Sequence, residues 1–90
     1  MSKLLYILKR GGARGAGYSL ENAERLRSDL REQLLPLDAE LFDQTEYGPK
    51  YRIRGTLIGP NGRVLRVISI WIKEDATGET KFVTLVPDKL

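Results

Sequence analysis

The chain has 90 residues, 41% of them hydrophobic and 30% charged, with a formal net charge of +3. That reads as one small domain, residues 1–90, with a modest core. It contains no cysteine and no histidine, which excludes disulfides and a thiol nucleophile, removes the commonest general base, and leaves zinc without its usual ligands.

Lys3–Leu8 (KLLYIL) is a short apolar run. It reads as an edge strand or as the first turn of a helix, and six residues do not separate the two by periodicity. It is too short for a membrane span, and with the missing cysteines it points to a cytoplasmic protein without a membrane partner. Lys9–Gly17 (KRGGARGAG) is basic and glycine-rich. Its spacing is not that of a phosphate-binding loop, so it reads as a flexible connector whose bases are solvated. Arg10 and Arg14, with Lys9, offer sequence-blind contacts to nucleic-acid phosphates.

Ser19 has the chemistry of an N-cap, and Glu21 and Glu24 suit a helix start. Leu20, Ala23, Leu26, Leu30 and Leu34 recur at three- and four-residue steps, the stripe of a core-facing helix over 19–35. Glu21 and Arg25 are spaced to pair one turn apart, and Pro36 stops the helix. Leu37–Glu46 permits an edge strand, with a second short helix as the competing reading. Tyr47-Gly48-Pro49 then turns the chain.

Lys50–Ile58 alternates: Tyr51, Ile53, Gly55 and Leu57 share one face, and Lys50, Arg52, Arg54 and Thr56 share the other. This predicts a strand with one buried and one wet, basic face. Gly59-Pro60-Asn61-Gly62 has the composition of a tight reversal. Arg63–Lys73 is apolar on both faces, which predicts a central strand covered on both sides. Glu74–Glu79 reads as a loose hairpin loop, and Thr80–Val86 as a last strand ended by Pro87. The expected fold is α+β: one main helix packed on a three- to four-stranded antiparallel β-meander over 38–86.

Charge is segregated. Residues 1–18 hold four bases and no acid, acids outnumber bases in 19–49, and bases again dominate from Lys50 onward. A basic sheet face suits an anionic partner such as RNA. Lys50, Arg52 and Arg54 are the candidate donors to a phosphorane, and Thr84 joins them as a candidate catalytic residue. Arg63 and Arg66 lie beside them as nucleic-acid contacts. Trp71 on a central strand reads first as core; facing outward it would stack on a base. Ser69 reads first as cross-strand hydrogen-bonded filler. No metal or cofactor is expected.

The segments GYSLENAERLRSDL, YGPKYRIRGTLIGPNGRVLRVISIWI and KFVTLVP resemble a family of small bacterial domains of unknown function. The shared motifs are the Ser-Leu-Glu-Asn-Ala-Glu helix start, the Gly-Arg turn, the Ser-x-Trp strand and the Phe-Val-Thr strand. Members of that family are similar in context to toxin–antitoxin pairs. The resemblance implies a toxin-like domain, RNA-directed and ribonuclease-like, with a small cognate protein or a second copy as partner. Where the family ends in Val-Thr-Ala-Tyr-Pro, this chain has Val83-Thr84-Leu85-Val86-Pro87, so one aromatic side chain is missing. The alternative reading is a non-catalytic protein-binding module that pairs with a small partner or self-associates. Whether the chain is an enzyme stays open at this level.

Overall fold

The computed structural model describes residues 14–88. The Lys3–Leu8 run and the bases Lys9 and Arg10 lie outside the described residues. In chain order come 3-10 turns at Arg14–Ala16 and Leu20–Asn22, a helix α1 (Ala23–Asp29), a π-helical turn (Leu30–Leu34), and strands β1 (Glu40–Thr45), β2 (Gly48–Ile58), β3 (Val64–Lys73) and β4 (Thr80–Pro87). The strands form one antiparallel sheet in the order β1-β2-β3-β4. The fold is therefore α+β, with one short α-helix and a four-stranded meander among the described residues.

The helical run starts where the Ser19 backbone N–H donates to Asn22 Oδ1 at 2.7 Å, which satisfies a group that the first turn leaves free. It widens at its end, where the Leu35 N–H reaches the Leu30 carbonyl five residues back. Leu26, Leu30 and Leu34 are buried and share one core cluster with Ile53 and Leu57 of β2 and Val67 and Trp71 of β3. The Gln33 side-chain amide closes both backbone hydrogen bonds of Ile58, at 3.0 and 2.7 Å. Gly55 leaves room for Leu34 and Leu37, whose methyl groups a Cβ there would crowd.

Expectations change in the helical run, the connector and β3. Leu20 is half exposed and stands outside the core, because a 3-10 turn has three residues per turn and rotates it off the α-helical stripe. Arg25 pairs with Asp29, not with Glu21: its Nε lies 3.0 Å from the carboxylate. The end of the glycine-rich connector is built into the fold. Ala16 is fully buried, its carbonyl accepts from the Asn61 N–H, and Asn61 Nδ2 donates to the Gly15 carbonyl. Gly59 permits this contact, since a Cβ there would overlap Ala16. Finally, among the described residues β3 is covered on one face only, as its outer residues show below.

The β2–β3 reversal closes with Gly62 N–H to the Gly59 carbonyl at 3.0 Å. The left-handed step falls on Gly62, at φ +85°, and not on Asn61. Asn61 instead accepts from the Arg63 N–H, bracing the turn from inside. The Glu74–Glu79 loop is not loose: Gly78 N–H and Glu74 N–H bond across it at 2.7 and 2.9 Å.

Candidate functional site: the open face of the sheet

Antiparallel register decides which side chains share a face. Tyr51 sits opposite Trp71, Ile53 opposite Ser69, Gly55 opposite Val67 and Leu57 opposite Leu65. This is the core face. The alternate residues form the other face: Lys50 opposite Ile72, Arg52 opposite Ile70, Arg54 opposite Ile68, Thr56 opposite Arg66 and Ile58 opposite Val64. On β4, Thr84 lies beside Ile70 and Val86 beside Ile68. No helical element among the described residues lies on this second face.

Five sequence-predicted residues, Lys50, Arg52, Arg54, Arg66 and Thr84, thus come together on one open face. Arg63 lies just before β3 at the end of the turn and is exposed. For Arg14 only the backbone turn is described.

Trp71 and Ser69 lie on the opposite, core face. Trp71 is 1% exposed, so it is not placed to stack on a base beside Arg52. Its indole N–H donates to Ser69 Oγ at 2.8 Å, and Ser69 Oγ donates to the Ile53 carbonyl at 3.1 Å. Its ring meets Phe82 edge-on at 5.4 Å between centroids. Burial wins here because a large aromatic with a satisfied N–H gains more inside than at the surface.

Two of the cations on the open face are already paired. Arg52 Nη2 reaches Glu40 Oε1 at 2.8 Å while its guanidinium lies over the Phe42 ring at 5.2 Å. Arg54 Nη1 reaches Asp88 Oδ1 at 3.2 Å. Among the described residues, no carboxylate pairs with Lys50, Arg63 or Arg66. The face offers cations for an anionic partner. Asp43 of β1 stands directly opposite Lys50 on this face and, among the described residues, makes no ion pair.

The feature that sequence reasoning missed is apolar. Val64, Ile58, Val86 and Phe42 are 58%, 51%, 41% and 41% exposed, and all belong to this face. Ile68, Ile70 and Ile72 run between them, half-buried. The signal was the two-sided apolar pattern of β3, read as two covered faces. Contiguous exposed apolar surface on a small protein marks a place where something docks.

A four-stranded antiparallel sheet with one core face and one open, apolar and basic face is the class of protein defined so far. A family model described as a domain of unknown function, DUF6883, matches residues 12–89, and the chain belongs to that family. No curated protein and no solved structure matches it. No helix among the described residues is long and apolar enough to cross a membrane.

Proposed function

We propose that the protein is a binding module whose open sheet face docks an acidic, amphipathic partner protein. The observation that supports it is the cluster of exposed Ile58, Val64 and Val86 beside half-buried Ile68, Ile70 and Ile72, ringed by Lys50, Arg52, Arg54 and Arg66. An apolar centre supplies affinity, and a cationic rim selects an acidic partner and speeds encounter. Charge argues against a second copy on this face, since like rims would meet.

The test is capture from a bacterial lysate, followed by reconstitution with the purified, identified partner. Ile70→Asp should abolish binding, and Arg52→Ala with Arg54→Ala should weaken it and flatten its salt dependence. Binding unchanged by Ile70→Asp sinks the reading, as does a partner without acidic excess.

A second reading, the toxin-like and RNA-directed one, draws on the resemblance above and on Lys50, Arg52 and Arg54 standing along one strand face. A row of cations on a sheet can follow a phosphate backbone. Induced expression in a bacterial host separates the two. Growth arrest with fragmented RNA, relieved by Arg52→Ala plus Arg54→Ala, supports the nuclease. Normal growth with intact RNA leaves the binding module alone.

A further inference from the structure

A second surface stands apart from the open face. On the core side, a half-open cleft of about 560 Å³ lies between the helical run and the outer edge of β4. Arg27, Leu30 and Arg31 form one wall, residues 79–82 form the other, and Trp71 lies between them. That size accommodates a few residues of peptide. β4 is the last strand of the sheet, so its outer backbone groups have no pairing strand among the described residues. One of them is already engaged from the opposite wall. Arg31 Nη2 donates to the Thr80 carbonyl at 3.1 Å, as the N–H of an added strand would.

The chemistry of the walls narrows the occupant. The Arg31 guanidinium lies 5.9 Å from the Trp71 ring centroid, and among the described residues no carboxylate pairs with it. Arg27 stands one turn away, its Nε only loosely matched with Glu24 at 3.8 Å. Half-buried Phe82 supplies the accessible apolar floor, with the buried Leu30 and Trp71 beneath it. The ladder is irregular at Val83, just beyond the cleft, because register shifts between Ile70 and Trp71. Pro87 ends the strand without a donor. Strand addition is thereby confined to the stretch from Glu79 to Phe82.

We propose that this cleft takes a short extended peptide, added as a strand to the β4 edge, with an apolar side chain against Phe82 flanked by acidic side chains at Arg27 and Arg31. Main-chain hydrogen bonds to an edge supply affinity, and alternate side chains supply selectivity. The site is independent of the open sheet face, so either can fail alone.

The probe is N-acetyl-Glu-Leu-Glu-Val-amide, followed through Trp71, the single tryptophan of the chain, and through the backbone amide NMR signals of residues 79–82. The expected result is a saturable shift in both. Arg31→Gln and, separately, the exposed Arg27→Gln should each weaken binding by about tenfold. Arg27 is exposed and only loosely paired with Glu24, so the effect of Arg27→Gln does not depend on a fold that survives the loss of the Arg31 contact. Equal binding of the Lys-Leu-Lys-Val counterpart overturns the proposal. So does full binding by a peptide methylated on its backbone nitrogens, or no shift in either signal. The open-face variant Ile70→Asp should bind this peptide normally.

Discussion

At the scale of single residues, the informative group is Tyr18. It is 1% exposed, and its hydroxyl donates to Asp29 Oδ2 at 2.5 Å and lies 3.3 Å from the Ile58 carbonyl. Arg25 meets the same carboxylate from outside. Asp29 is buried yet holds two donors, which is the condition under which a buried charge is tolerable. Burial first, then the hydrogen bond to Asp29, raises the Tyr18 phenol well above its ordinary 10.0. The folded state therefore holds this proton more tightly than the unfolded chain does. Its stabilising contribution is complete below about pH 10 and is lost as pH rises from there toward the folded-state value. Ultraviolet titration should show one of the four tyrosines resisting ionisation until the protein unfolds. Tyr18→Phe should remove that behaviour and cost about 2 kcal/mol in denaturant unfolding. A Tyr18→Phe protein with unchanged stability and unchanged titration would show the bond to be idle. None of this was legible beforehand. Tyr18 precedes the helix in a polar stretch, and its partner Asp29 is 11 residues away.

At the scale of elements, the strands were the most readable. Period-two alternation in Lys50–Ile58 placed Ile53 and Leu57 on the face that proves buried, and the Gly-Pro-Asn-Gly composition placed the reversal. β1, open between strand and helix by its sequence, is a strand because Leu41 and Asp43 pair with Tyr51 and Lys50 across a bulge. That choice is made by the neighbour and not by the six residues themselves. The helix was readable in place but not in detail, since 3-10, α and π turns have the same residue preferences and differ only in hydrogen bonding. Hairpin ends also contact one another. The Tyr47 carbonyl accepts from the Asp75 N–H at 2.9 Å, and Gly48, at φ +139°, lies against the Lys73 carbonyl. A Cβ at Gly48 would overlap that oxygen and take a backbone conformation that L side chains rarely adopt. Gly48→Ala should therefore destabilise the protein by about 3 kcal/mol. By contrast Gly62→Ala, with open space around its Cβ, should cost about 1 kcal/mol from conformation alone. Equal losses for the two would refute the contact argument.

At the scale of the whole molecule, the two faces of one sheet differ in burial. Ile53→Ala removes a fully buried side chain from the core cluster and should cost about 3 kcal/mol. Ile70→Ser, on the open face, removes a half-buried one and should cost about 1 kcal/mol while lowering affinity for a docked partner. Thermal or denaturant melts of the two variants give this contrast directly. Similar losses would mean that the open face is a second core and not a docking surface. A small domain stable by only 5–15 kcal/mol, the usual range, has little reason to leave isoleucines half in water unless something covers them.

The sequence by itself determined the place of the helical run, the antiparallel strands from Lys50 onward, the shared face of Lys50, Arg52 and Arg54, and the absence of thiol and imidazole side chains. These follow from local pattern: alternation, turn residues and composition act over a few positions. Alternation had marked the buried face of β2, but only the tertiary structure decided which face of β3 joins Leu26, Leu30 and Leu34 in the core. Alternation says which residues travel together, but either face of an apolar strand such as β3 can be the one that is buried. That single choice put Trp71 inside and Ile70 outside. It also placed Arg27 and Arg31 along the edge of β4, more than 40 residues further along the chain, where no local pattern can point.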